Sequence, residues 1–207
     1  MITPVQQQGF HIERNAISTE SARILSAEFD IIRDYTYFVN KIDPSDLTRY
    51  GDNQSSKSFA YYSPTCFESL MVTMLPKVEE ITNKKLYPSY SYGRIYYNGA
   101  ELPRHRDRRS CEYSVTITID MDQIPWDIHF IDRENTTTAI SLDVGDMCVY
   151  QGYELEHWRA PYQGTRQLQA FLHYVEVEGK FSHYKYDTRP ALGLPSSYRN
   201  HNYNLND

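Results

Sequence analysis

The hydrophobic period of the chain changes once, near residue 86, and this change constrains the fold more than any other sequence feature. Before it, apolar residues recur at helical spacing in residues 19–33 and again after residue 65. After it, apolar and polar residues alternate in short runs, which is typical of half-buried strands. Helices followed by many short strands predict an α+β fold, a sandwich or jelly roll with the helices packed on one sheet.

The two expected helices have recognisable starts. The first should cover residues 19–33, with Ser18 or the residue after it as the N-cap. The second should open with a capping box of Thr65 and Glu68, because this spacing lets both side chains bond the opposite backbone. Pro76 lies inside its apolar stripe and is expected to kink or divide this helix.

The remaining segments are expected to be strands or irregular structure. Residues 39–64 are polar and aperiodic, which predicts a long loop, and residues 180–207 predict a surface tail or a strap across a pocket. The expected strands cover residues 87–97, 113–119, 127–132, 138–142, 147–150 and 166–177.

The length, net charge and cysteine content of the chain limit the classes of function that it can have. A length of 207 residues fits one domain, and a net charge of −6 argues against stable binding to nucleic acid. Cys66, Cys111 and Cys148 show no metal-binding or signal-peptide context, so we expect free thiols in a reducing compartment. No apolar run approaches transmembrane length, so the predicted location is cytoplasmic, without a membrane partner. The oligomeric state stays open.

Three residues form a candidate metal site. His105 and Asp107 stand two apart, so on an extended segment both side chains point the same way, and His157 follows at a distance. Taken singly, each is more often a structural polar residue. Together, two histidines and one carboxylate form the facial set that holds non-heme Fe(II) and leaves positions open.

Arginines and one tryptophan accompany these residues. Arg166 follows His157 in a Gly-Thr-Arg turn, and a fixed guanidinium there suits a dicarboxylate co-substrate. Trp158 directly follows a candidate ligand and could shape a pocket. A basic cluster is either a solvated face or a rim that attracts an anionic co-substrate or substrate. Its members are Arg104, Arg106, Arg108 and Arg109.

Residues 94–107, which contain Tyr97, Gly99 and the His-Arg-Asp motif, resemble a segment of the iron(II)/2-oxoglutarate-dependent dioxygenases, in their prolyl-hydroxylase-like branch. Residues 143–147 resemble the turn and strand that precede the second histidine in that family. Residues 157–166 resemble its His, Pro, Gly and Arg segment. The likeness covers roughly residues 85–178 and is greatest to small phage and bacterial members.

The resemblance implies a single domain over residues 1–207: helical support in 1–84, a double-stranded β-helix in 85–178 and an irregular tail in 179–207. It implies roles for individual residues as well. Fe(II) would be bound by His105, Asp107 and His157. Arg166 would pair with the distal carboxylate of 2-oxoglutarate, and Tyr97 would hydrogen-bond this co-substrate, although the adjacent Tyr96 points to the other face.

The activity implied by the resemblance is hydroxylation of a peptidyl or amino-acid substrate, with release of succinate and CO2. Oxidation of another small molecule or a nucleobase is an alternative. A nucleobase oxygenase would be expected to have a second arginine on the last strand, and residues 167–177 contain none. A non-catalytic binding module of the cupin type would show two histidines and a glutamate where this chain has His105 and Asp107.

Overall fold

Two antiparallel β-sheets and a pair of long helices make up the computed structural model, which describes residues 3–46, 52 and 54–189. The expected α+β composition is therefore observed. In chain order the elements are α1 (Pro4–Gln8), β1 (Phe10–Glu13), α2 (Thr19–Asn40), β2 (Ser58–Tyr62), α3 (Thr65–Thr82), β3 (Leu86–Tyr97), β4 (Leu102–His105), β5 (Tyr113–Met121), β6 (Ile128–Ile131), β7 (Thr137–Ile140), β8 (Met147–Tyr150), β9 (His157–Arg159) and β10 (Arg166–Glu176). Short 3-10 helices lie at Arg109–Cys111 and Ser182–Thr188.

The chain passes back and forth between the two sheets. The larger sheet has the order β1-β8-β5-β10-β3-β2, and the smaller has the order β4-β9-β6-β7. Strands β3, β5, β8 and β10 of the larger sheet are separated in sequence by strands of the smaller one. As a result, β4 and β9, which are distant in sequence, become neighbours, and His105 pairs with His157 across them.

The helices α2 and α3 cover one face of the larger sheet. Phe29 of α2 and Phe67 of α3 stack there, with ring centroids 5.3 Å apart. They lie over Gly93 of β3, where an added Cβ would overlap with both rings. The strands supply alternate apolar side chains to the same core: Val115, Ile117, Ile119, Leu168, Ala170 and Leu172.

The helix predictions hold in position but not in detail. Ser18 caps α2 by accepting a hydrogen bond from the Ser21 backbone, and the helix continues beyond the predicted end to Asn40. The predicted capping box does not form at α3, whose N-cap is Pro64. Glu68 points inward instead and accepts hydrogen bonds from the backbone and hydroxyl of Ser91. Pro76 lies within one uninterrupted helix.

The strand predictions agree with β3, β5, β6, β7, β8 and β10, whereas β1, β2, β4 and β9 lie outside the predicted strand ranges. The predicted loop of residues 39–64 contains β2, which pairs with β3 at the edge of the larger sheet. Its sequence Ser-Phe-Ala-Tyr-Tyr lacks alternation because four of its five side chains are buried. Residues 47–51 and 53 of that loop, and 190–207 of the tail, lie outside the described residues.

Gly93 provides a test of the packing between helices and sheet. We expect Gly93→Ala to destabilise the fold by about 1–3 kcal/mol, because the aromatic pair must move to admit a methyl group. For a chain of this size, each kcal/mol lowers the melting temperature by about 2–4 °C, which calorimetry resolves. Thr137→Ala, at an exposed position of β7, is the control and should change little. Equal melting temperatures for the two variants would contradict the described packing.

Candidate functional site

His105, Asp107 and His157 converge, as the spacing of the sequence predicts. The Nε2 atom of His105 lies 3.5 Å from Oδ1 of Asp107, and Nε2 of His157 lies 3.6 Å from the same oxygen. The pairing of β4 with β9 places the two imidazole rings 4.3 Å apart, centroid to centroid. Three potential ligand atoms from two strands and the following loop thus surround one point.

Both imidazoles are held in the tautomer that suits metal binding. Nδ1 of His105 is 2.7 Å from the carbonyl oxygen of Pro103, and Nδ1 of His157 is 3.0 Å from that of Leu155. A carbonyl oxygen can only accept, so each Nδ1 must be protonated and donate. Each Nε2 is therefore the nitrogen that faces Asp107 and is left for a further partner.

Asp107 is held as a carboxylate. Burial opposes its ionisation, but the neighbouring His157 and His105 outweigh this effect and hold the pKa of Asp107 well below its ordinary value. Its backbone N–H donates to the carbonyl of Gly152 over 2.9 Å, which fixes the loop after β4. The site therefore combines one carboxylate oxygen with two imidazole nitrogens.

These residues lie in a pocket between the sheets, with charged, hydrogen-bonding and aromatic walls. Arg94, in the middle of β3, has a side chain only 3% exposed, and it forms an ion pair with Asp52. The lining residues are Asp52, Gln54, Tyr90, Tyr92, Arg94, Leu102, His105, Asp107, Tyr150, His157, Phe171 and His173.

Arg159 is a second buried arginine and differs from Arg94 in its partners. It lies on the same side of β9 as His157 and is 2% exposed. Nη1 donates to the carbonyl of Trp126, and the guanidinium lies 4.9 Å from the centroid of the Trp126 ring. Within the described part of the chain, Nε and Nη2 have no hydrogen-bond partner. Burial lowers the pKa of Arg159, and the nearby Tyr96 and Asp127 only partly offset this effect.

Arg166 is not brought to this pocket, which corrects the sequence expectation. Its guanidinium forms ion pairs with Asp120 of β5 and, at 2.8 Å, with Asp30 of α2. The reason is that successive side chains of a strand point to opposite faces. Arg166 therefore shares a face of β10 with Leu168, and that face packs against the helices.

Tyr97 is likewise on the helix side, where it packs half-buried against the core. The adjacent Tyr96 is fully buried on the other side of β3, and its hydroxyl accepts a hydrogen bond of 3.1 Å from Arg94 Nη1. Tyr96 is therefore the tyrosine on the pocket side of the strand.

Most of the predicted rim residues form hydrogen bonds or ring contacts with other residues of the same chain. Arg108 forms two parallel hydrogen bonds of 2.7 Å with the carboxylate of Asp187, so it anchors the 3-10 helix at Ser182–Thr188 and is not a rim residue. Trp158 lies on the opposite face of β9 from His157 and stacks on His129, which also corrects the expectation. Arg109 is exposed.

The Arg108–Asp187 pair yields a stability prediction. Breaking a buried ion pair by removing one partner costs about 3–5 kcal/mol, and we expect the lower end because the Arg108 side chain is 28% exposed. Arg108→Ala should therefore lower the free energy of unfolding in urea, whereas the neighbouring control Arg109→Ala should leave it nearly unchanged. If both variants unfold at the same urea concentration as the unmodified chain, Arg108 does not anchor the 3-10 helix at Ser182–Thr188 as described.

No protein-family model matches the sequence, and no curated protein is significantly similar to it. Solved structures are similar in fold. A Pseudomonas putida prolyl-4-hydroxylase has a TM-score of 0.62 and 13% identity, over 83% of this chain and 95% of that one. HygX from Streptomyces hygroscopicus with nickel and 2-oxoglutarate bound has a TM-score of 0.59 and 12% identity, over 84% and 85%. SnoN, a non-heme alpha ketoglutarate dependent epimerase from nogalamycin biosynthesis, has a TM-score of 0.63 and 9% identity, over 93% and 88%.

The chain thus has a fold similar to that of a prolyl-4-hydroxylase, of HygX and of the non-heme alpha ketoglutarate dependent epimerase SnoN. At such low identity the likeness establishes a shared fold, and function has to be argued from the site. Among the helices of the described residues, none is long and apolar enough to cross a membrane.

Proposed function

We propose that the chain is an Fe(II)- and 2-oxoglutarate-dependent oxygenase. The observation that supports this most is the convergence of three potential ligand atoms. Oδ1 of Asp107 lies 3.5 Å from Nε2 of His105 and 3.6 Å from Nε2 of His157. Nitrogen and oxygen ligands about 2.1 Å from one ion lie roughly 3.0–3.4 Å apart, so small movements would complete a metal site. The donor set, with two imidazoles and one carboxylate, is that of non-heme iron oxygenases.

The strand order supports the same proposal. Four strands of the larger sheet, β8-β5-β10-β3, face the four strands of the smaller sheet, β4-β9-β6-β7. The chain alternates between the two sheets as a double-stranded β-helix requires. His105 and His157 lie on two neighbouring strands of the smaller sheet, and Asp107 lies in the loop after β4. We therefore assign residues 85–178 to that fold, with α2 and α3 supporting its larger sheet.

Each site residue would have a defined role. His105 and His157 would bind the metal through Nε2, since Nδ1 of each is engaged with a backbone carbonyl. Asp107 would bind through Oδ1 and supply the negative charge that favours a dication. When bound, Fe(II) with 2-oxoglutarate supplies the oxidising chemistry of hydroxylation, with succinate and CO2 as products.

The far carboxylate of 2-oxoglutarate is assigned to Arg159, in place of Arg166. A buried guanidinium with two unpaired nitrogens is costly unless an anion binds there, and its fork geometry matches a carboxylate. Arg166 already has two carboxylate partners. The hydroxyl of Tyr96 is close enough to interact electrostatically with Arg159, so Tyr96 takes the role expected of Tyr97.

For the primary substrate we propose a peptidyl or free amino-acid side chain, in line with the likeness to a prolyl-4-hydroxylase. A free polar small molecule is the second candidate, because Asp52, Gln54 and Arg94 line the pocket with charge and hydrogen-bonding groups. HygX, whose structure contains hygromycin B, has the same fold. Succinate formation from 2-oxoglutarate and Fe(II), measured across peptides, amino acids, nucleosides and aminoglycosides, separates these classes.

The metal assignment predicts the behaviour of three variants. Under anaerobic, reducing conditions the chain should bind one Fe(II), and His105→Ala, Asp107→Ala and His157→Ala should each abolish tight binding, because two ligands do not hold this ion well. His129→Ala is the matched control, since His129 lies on the smaller sheet and stacks on Trp158. Iron bound per chain, measured after gel filtration, should fall in the first three only. Full retention of iron by all of them would rule out the site.

The co-substrate assignment distinguishes two arginines. In the metal-loaded protein, Arg159→Met should weaken 2-oxoglutarate binding at least a hundredfold, since losing the partner of a buried charge costs about 3–5 kcal/mol. Arg166→Met, the control, should bind 2-oxoglutarate normally but unfold more easily, because its ion pairs with Asp120 and Asp30 are lost and, among the described residues, only Asp30 keeps another arginine partner, Arg33. Calorimetric titration measures both affinities. The opposite ranking would show that the register of β10 differs from the one described.

A further inference from the structure

The two oxygens of the Asp107 carboxylate have different surroundings. Oδ1 faces the two histidines, whereas Oδ2 accepts a hydrogen bond of 2.9 Å from the hydroxyl of Ser114 on β5. The same hydroxyl lies 2.9 Å from Nδ1 of His173 on β10. We infer that Ser114 and His173 are positioning residues that fix Asp107 as a metal ligand through one oxygen. This inference rests on the proposed metal site.

The Ser114 hydroxyl lies between the other two groups. It donates to Oδ2 of Asp107 over 2.9 Å, while the carbonyl of Cys111, at 3.4 Å, is a more distant acceptor. A hydroxyl has one proton and two lone pairs, so the Ser114 oxygen can accept from Nδ1 of His173 at the same time. These hydrogen bonds connect His173 through Ser114 to Asp107.

Burial and packing make this arrangement rigid. Ser114 is fully buried and His173 is 5% exposed, so bulk water does not compete for their hydrogen bonds. The ring of Tyr90 packs against the His173 ring, with centroids 4.4 Å apart. Gly152 closes the other side, because a Cβ at this position would overlap with both Oδ2 of Asp107 and the Ser114 hydroxyl.

The consequence concerns how the carboxylate binds an ion. With Oδ2 held by Ser114, rotation of the carboxylate is restricted, and Oδ1 stays directed at the point between the two Nε2 atoms. Binding through one oxygen also leaves more coordination positions for other ligands. Partners that orient a metal ligand typically contribute tenfold to a hundredfold in metal affinity.

The test uses Co(II) as a probe of the apo chain, because its visible absorption reports both binding and ligand geometry. Ser114→Ala and His173→Phe should weaken Co(II) binding by about tenfold to a hundredfold and change the absorption bands. His173→Asn, whose side-chain amide can donate near the position of Nδ1, should restore most of the affinity. Thr116→Ala is the matched control, since Thr116 lies on the same face of β5 but donates to Gln169.

The outcomes separate this inference from the proposed function. If the unmodified chain binds no Co(II), the metal site and the inference both fail. If it binds Co(II), and Ser114→Ala and His173→Phe show unchanged affinity and absorption bands, the metal site stands and the positioning role is overturned. Equal weakening by Thr116→Ala would also overturn it, because general loosening of β5 would then explain the loss.

Discussion

The antiparallel pairing of β4 with β9 places His105 opposite His157, and the rest of the site depends on this register. Asp107 reaches the histidines because it follows β4 directly, and the buried Arg159 lies on the same face of β9 as His157 because it is two residues further along the strand. A slip of one residue in β9 would exchange the two faces of that strand. His157 would then leave the pocket and Trp158 would enter it.

Four arginines beside the two sheets fall into two kinds. Arg94 is buried, Arg108 and Arg166 are partly exposed, and each has a carboxylate partner. Arg159 is buried with aromatic and backbone contacts, and two of its nitrogens have no hydrogen-bond partner among the described residues. The paired arginines are explained by their structural role alone, whereas Arg159 is the arginine for which we propose an anionic ligand.

Much of the fold, and the convergence of His105, Asp107 and His157, could be predicted from the sequence, because strand alternation and the His-Arg-Asp motif are local signals. The faces of β10 could not. Alternation shows that Arg166 and Leu168 share one face, but both faces of this strand are buried, so the pattern does not distinguish the helix side from the pocket side. The same ambiguity applies to Tyr96 and Tyr97 on β3. The Arg108–Asp187 pair joins residues far apart in sequence and has no local signal.

A crystal structure of the chain grown without oxygen, with Ni(II) and 2-oxoglutarate, tests the central claim most directly. We expect one anomalous metal peak within about 2.0–2.3 Å of His105 Nε2, His157 Nε2 and Asp107 Oδ1. We also expect the far carboxylate of 2-oxoglutarate within hydrogen-bonding distance of Arg159. A metal peak elsewhere in a well-ordered fold, or a co-substrate carboxylate bound by Arg166, would contradict the proposed site.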